Sequence, residues 1–224
     1  MLAYRYMLTQ PGLTAEIFGI VVLIFSVIAH EVAHGYAAYA LGDATAKRAG
    51  RLTLNPLAHI DPMGSVIIPA LLILTNSPIR FGWAKPVPYN PYNLKNQRWG
   101  EAIVASAGVL TNLLLAVVFA IVARVAAGYG MSSFASLATL IVYTNLFLGL
   151  FNLIPIPPLD GYGILHGVMP LKWSYPLRNF ENRLRSGGIF TLIFVLLFIS
   201  LFLSGPLSAL VSYVFTLLVG APLT

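Results

Sequence analysis

From Ile17 to Ala29 only Gly19 and Ser26 are not plainly apolar, and the run passes straight into His30-Glu31-Val32-Ala33-His34. A helix over residues 13–41 would be roughly 43 Å long at ~1.5 Å per residue, more than the ~30 Å hydrocarbon core of a bilayer. The two histidines and the glutamate therefore fall inside a membrane span, nearer its far end. Ionisable side chains at that depth are expensive and mark a functional site. The rest of the chain agrees: 9% of its 224 residues are charged, against about 25% in soluble domains.

The expected fold class is an α-helical polytopic membrane protein. It has about five membrane-spanning helices, a short re-entrant helix, and a small membrane-associated β-hairpin or sheet near the site. After the first helix the helical pattern lapses, and residues 44–98 form a strand and re-entrant region. Arg51-Leu52-Thr53-Leu54 alternates with period two and predicts a short strand ending at Asn55-Pro56. Asp61-Pro62 predicts a helix start, with Asp61 as N-cap. The apolar stretch 63–75 is too short for a full span and contains Pro69. Pro86 and Pro88 lie two apart, which places the strand 83–89 at a sheet edge, lining the cavity of the site. Helices follow over 100–127 and 134–154, broken by Asn152-Leu153-Ile154-Pro155-Ile156-Pro157-Pro158-Leu159-Asp160-Gly161. The runs 189–203 and 207–219 flank Ser204-Gly205-Pro206 and predict a C-terminal helical hairpin over 189–219.

The chain reads as one membrane-embedded domain, 1–224, without an appended soluble domain or a removable signal peptide. Residues 1–12 are expected at the membrane surface, where Tyr4 and Tyr6 suit the interface. The net charge of +6 does not indicate nucleic acid, because the basic residues cluster in connections between apolar runs, as in loops retained in the cytoplasm. With no cysteine in the chain, disulfides and thiolate ligands are excluded.

Two histidines four apart lie about 40° apart around a helix, so both imidazoles can reach one zinc ion. Glu31 stands beside it as a candidate base for a water activated there. With 4 His in the chain, such a motif arises by chance in about one shuffled sequence in a thousand. A catalytic zinc needs a third protein ligand and an open position. Most other carboxylates have ordinary uses: Glu16 and Glu101 in first helical turns, Asp43 in a turn, Asp61 at a cap, Glu181 paired with Arg178 and Arg185. His59 reads as a surface histidine, and His166 is the reserve candidate. Asp160 is the one carboxylate at a helix break in an apolar, proline-rich run, where burial without a partner is costly. Capping residues 161–168 is its competing use. An even number of crossings between His34 and Asp160 brings both to one face of the membrane, the cytoplasmic one.

The HEVAH helix, the NLIPIPPLDG break, and the GRLTLNP, HIDPMG and FGWAKPVP stretches together resemble the site-2 protease family of intramembrane zinc metalloproteases, in particular its compact prokaryotic branch. The resemblance covers most of the chain. It implies one zinc per chain held by His30, His34 and Asp160, with Glu31 as catalytic base. Asn152 would position the substrate backbone or donate to the developing oxyanion. The family often has Ala-Gly-Pro-x-x-Asn in the preceding span. Here Val109 stands in place of the proline, so no role for Asn112 follows and Gly108 reads as close helix packing.

The resulting expectation is a cell-membrane, multi-pass metalloendopeptidase, with its active site toward the cytoplasm, that cleaves a transmembrane protein substrate. The strand 83–89 would hold the unwound substrate by strand addition. The alternative is a non-proteolytic metal-binding protein or metal-ion carrier using the same three ligands, which has no need of Glu31. Histidines four apart on one helix cannot take opposite faces of a haem iron, so haem is excluded.

Overall fold

The computed structural model describes residues 13–75, 84–96 and 99–220. The expected interfacial segment 1–12 and the stretch 79–83 lie outside them. Besides four short 3-10 or π-helical turns, nine α-helices are described. In chain order they are α1 (Leu13–Ala40), α2 (Thr45–Arg48), α3 (Ile68–Leu74), α4 (Gly100–Gly128), α5 (Ser132–Asn152), α6 (Asp160–Val168), α7 (Leu171–Ser186), α8 (Gly188–Phe198) and α9 (Ser204–Val219).

Among the described residues, four helices are long and apolar enough to cross a membrane: Thr14–Ala40, Gly100–Gly128, Ser132–Asn152 and Ile193–Val219. The protein is an α-helical membrane protein, and the described residues hold four such helices where about five were expected. The difference lies at the C-terminus. α8 and α9 are joined by a π-helical turn, Ile199–Leu203, and form one continuous span instead of a hairpin. Pro206 lacks the N–H that a regular helix would bond to the turn before it. The widened turn ahead of it lets the helix run on through Ser204-Gly205-Pro206.

The small sheet is also absent: the described residues contain no strand. Around 51–55, local bonds replace a ladder. Thr53 Oγ1 accepts from the Asn55 N–H, and the Thr53 carbonyl accepts from His59 Nε2. Residues 84–90 run without regular structure because their donors go elsewhere. The Lys85 N–H bonds the His59 carbonyl, Val87 N–H bonds Glu31, and Asn90 N–H bonds Asp43, while Pro86 and Pro88 have none to give. Asp61 caps Pro62–Ile67 as expected, accepting from the Gly64 N–H at 2.7 Å, although that first turn is π-helical. With α3 it makes a helical stretch below spanning length.

Interhelical contact is organised by residues four apart. On α1 the buried seam is Val22, Ser26, His30, His34 and Ala38; on α4 it is Val104, Gly108, Asn112, Ala116 and Ala120. His30 meets Asn112, His34 meets Val104, and Ala38 packs near Val104, so the helices are antiparallel. The small residues on α4 let the backbones approach closely, the usual means of packing in a bilayer where lipid competes with apolar contact. Phe215 and Val211 of α9 fill the space between Ala116 and Ala120 of α4 and Val142 and Leu146 of α5. The outer face of α1, with Ile17, Ile20, Leu23, Ile24 and Phe25, is exposed and suited to lipid.

Candidate active site

Within α1 the four-residue period carries His30 and His34 onto the buried seam, with their rings edge to face, centroids 4.6 Å apart. They fit there because Gly108 of α4 has no side chain. A Cβ at that position would lie 2.5 Å from His34 Nε2 and 2.7 Å from His30 Cε1. Gly108 is thus a packing glycine, and what it admits are the two imidazoles.

Asp160 arrives from the break after α5. It occupies the first turn of α6, whose N-cap is Leu159, so its carboxylate is not used as a cap. The turn is possible only with glycine next: a Cβ on Gly161 would collide with the Leu153 carbonyl oxygen. Gly163 and Gly167 then lay α6 against Ala105 and the backbone of Ala102 at the start of α4. The helix that supplies the acid and the helix that cradles the histidines are packed directly together.

His30 Nε2 is 3.0 Å from Asp160 Oδ2, His34 Nε2 is 3.4 Å from Oδ1, and the two Nε2 atoms are 3.0 Å apart. One ligand atom from each of the three residues falls within 4.8 Å of the others. The surrounding hydrogen bonds decide where the ring protons sit. His34 Nδ1 donates to the Val104 carbonyl at 2.7 Å, and a carbonyl only accepts, so Nε2 is the lone-pair nitrogen. For His30 the assignment passes through two amides. Asn145 donates to the Ile141 carbonyl, which fixes its orientation and turns its oxygen toward Asn112 Nδ2. That leaves Asn112 Oδ1 to accept from His30 Nδ1 at 2.6 Å. Both histidines therefore aim Nε2 lone pairs at the Asp160 carboxylate. The close Nε2 pair is then not a hydrogen bond, and Asp160 Oδ2 is buried without one. Acceptors converging with no proton among them fit a cation, and two imidazoles with one carboxylate are a ligand set of catalytic zinc. Among the described residues no other His, Asp or Glu joins the group.

Glu31 lies on the neighbouring face of α1, where its Oε2 accepts from the Val87 N–H at 2.8 Å. The segment 84–90 thus lies against the site as an extended strap rather than as a strand, and its Val87 donor is already engaged. Asn152, at the end of α5, donates from Nδ2 to the Leu148 carbonyl of its own helix at 3.0 Å.

Other assignments need revision. His59 is buried rather than superficial, with Nε2 donating to the Thr53 carbonyl. Asp43 is more than a turn residue. Fully buried, it accepts from Thr45, from the Asn90 N–H at 2.7 Å and from Asn93 Nδ2 at 2.9 Å, tying the end of α1 to the segment before α4. Burial alone would raise its pKa; these donors outweigh that and hold it below the usual carboxylate value. His166 is buried but belongs elsewhere, its Nε2 3.0 Å from Glu101 and 3.9 Å from Glu181. Arg178 bonds Glu101 across to α4, so the exposed pairing expected for Arg178 with Glu181 is not its main use. The residue that sequence reasoning missed is Asn112. Its signal was the small residues at 108, 116 and 120, which put position 112 on the contact face of α4.

Residues 125–195 match the family model described as Peptidase family M50. That match takes in α5, the Leu159-Asp160-Gly161 turn and α6. Three bacterial relatives bear the printed name "Putative zinc metalloprotease". YwhC of Bacillus subtilis (strain 168) is 42% identical over 158 residues, covering 67% of this chain and 68% of the relative. Rip2 of Mycolicibacterium smegmatis is 32% identical over 142 residues, 63% of this chain and 53% of that protein. Rip2 of Mycobacterium tuberculosis is 30% identical over 167 residues, 70% of this chain and 60% of that protein. The chain therefore spans a little over half the length of the mycobacterial relatives. No solved structure matches it. The match across α5 and α6, the extent of the Bacillus relative and the geometry of the histidine pair with Asp160 lead to one assignment: the chain belongs to peptidase family M50, the site-2 proteases, and is a zinc metalloprotease of the membrane.

Proposed function

We propose that this protein cleaves peptide bonds in or near transmembrane segments of membrane-protein substrates, using one zinc held by His30, His34 and Asp160, with Glu31 as general base. The observation that carries the proposal is the convergence, within 4.8 Å of one another, of two buried histidines on a helix of spanning length and the half-buried Asp160, 126 positions beyond His34. When bound, zinc supplies Lewis-acid polarisation of the scissile carbonyl and activation of water. Glu31 takes the proton and returns it to the leaving amine. Its bond from Val87 N–H holds the carboxylate in one orientation beside the ligands. Asn152 assists by donating to substrate, which requires its amide to leave the Leu148 carbonyl. The substrate helix must unwind first, because its backbone is otherwise closed in its own hydrogen bonds.

Orientation follows from charge. Lys47, Arg48 and Arg51 after α1, Lys85 and Lys95 before α4, and Lys172, Arg178 and Arg183 after α6 all lie in connections at the end of the helices that holds the site. The α4–α5 turn, Tyr129-Gly130-Met131, has no charge. By the positive-inside tendency this asymmetry supports a site toward the cytoplasmic face of the cell membrane, with Pro62–Leu74 re-entering from that side.

The test is cleavage of a labelled transmembrane peptide in proteoliposomes. Wild-type protein should cleave it and lose activity to a zinc chelator. Glu31→Gln should keep its zinc and lose at least about a hundredfold in rate. Cleavage undiminished in Glu31→Gln refutes the role of the base.

A further inference from the structure

Arg51 is 6% exposed and has no carboxylate partner among the described residues. A buried guanidinium without a counter-ion is costly, so its hydrogen bonds deserve an explanation. Nη2 donates to the carbonyl oxygens of both Lys85 and Pro86, while Nε is buried without a partner. The next residue is Val87, whose N–H meets Glu31, and the residue before, Lys85, is pinned by its own N–H on the His59 carbonyl. Because Pro86 and Pro88 carry no N–H, Val87 is the one backbone donor in 86–88. Its side chain is buried against Gly35, one turn beyond Glu31, where an added Cβ would come within 2.8 Å of Val87 Cγ1. The prolines stiffen the segment, Gly35 lets it lie close on α1, and Arg51 and His59 set its position along the helix.

We infer that Arg51 is a positioning residue for the catalytic base: it grips the carbonyls of Lys85 and Pro86 so that the Val87 N–H orients the Glu31 carboxylate. This rests on the reading of Glu31 as the base given above. It assigns the Ala84–Pro88 strap a role distinct from holding substrate, since the donor that strand addition would use on that side is engaged with Glu31.

Two readouts test it, one independent of catalysis. In hydrogen exchange, a peptide covering 84–90 reports, beyond its first residue, Lys85, Val87, Tyr89 and Asn90, because two of its residues are prolines. Exchange should be slow in wild-type protein and at least about tenfold faster in both Arg51→Ala and Glu31→Ala. In kinetics on the transmembrane peptide, Val87→Pro, which deletes the donor and replaces the buried side chain, should lower kcat by roughly ten- to a hundredfold with KM unchanged, the range expected for a hydrogen bond to a charged group. Val87→Ala, which trims the same buried side chain but keeps the N–H, should lose much less kcat than Val87→Pro. Arg51→Lys, which keeps the charge, should lie between wild type and Arg51→Ala, and all variants should keep their zinc. Equal exchange at 84–90 in wild type and Arg51→Ala overturns the inference, as does a Val87→Pro kcat equal to that of Val87→Ala. A wild-type protein that cleaves nothing refutes the protease reading, and the exchange result still decides whether Arg51 orders the strap.

Discussion

Gly108→Ala separates the metal site from the fold by one methyl group. The added Cβ would stand 2.5 Å from His34 Nε2, 2.6 Å from His34 Cε1 and 2.7 Å from His30 Cε1. To reach the 3.4 Å of ordinary contact, both rings must move by 0.7–0.9 Å. They cannot move together without cost, because Nδ1 of one is tied to Val104 and Nδ1 of the other to Asn112. Metal sites tolerate ligand displacements of only about 0.2 Å. Loss of outer-shell bonds alone costs about 10- to 100-fold in metal affinity, so a displacement several times the tolerance should cost at least about a hundredfold. The helix itself should survive. Alanine gains about 1 kcal/mol over glycine in a helix interior, which offsets much of the ~1–3 kcal/mol of overpacking. The assay is zinc per chain after dialysis against a chelator of graded strength, with circular dichroism of the same samples. Helical content near wild type with zinc lost is the expected result. Full zinc occupancy in Gly108→Ala refutes the argument that this glycine exists to admit the imidazoles.

Asn112→Leu should weaken zinc binding by about 10- to 100-fold, since it removes the acceptor that sets the His30 tautomer. It should also destabilise the apo protein by about 1–3 kcal/mol by leaving the buried Asn145 Oδ1 without its donor, which denaturation in detergent would read. Asp43 gives a pH dependence with a definite sign. Its folded-state pKa lies below the unfolded value, so its stabilisation is complete above the unfolded value and is lost as pH falls through the lowered one. The melting temperature of wild-type protein should therefore fall as pH drops below about 4, the unfolded carboxylate value, and Asp43→Asn should show a lower plateau with a smaller drop.

Much of this was legible in sequence where the signal is local. Two histidines at helical spacing in an apolar run define their own geometry, and a carboxylate beside three prolines and a glycine stands out because its burial without a partner would be costly. Partners far apart in sequence were harder. Asn112 reaches His30 across 82 residues, and only the four-residue spacing of small side chains on α4 hints at the contact. His59 looked superficial because it lies in a loop beside the basic cluster, yet it is buried with its Nε2 on the Thr53 carbonyl. The strands were misread for a physical reason: alternation shows which side chains can share a face, not where the backbone donors go. Here they go to Glu31, Asp43 and the His59 carbonyl. Ser204-Gly205-Pro206 looked like a turn, but a proline early in a helical segment after a widened turn lets the span continue.

The central claim is one zinc shared between α1 and α6, and the direct measurement is metal content with X-ray absorption of detergent-purified wild-type and Asp160→Ala protein. About one zinc per chain, coordinated by two imidazoles and a carboxylate in the wild type and largely lost in Asp160→Ala, is the predicted result. Zinc retained at full occupancy with an unchanged spectrum in Asp160→Ala would contradict it.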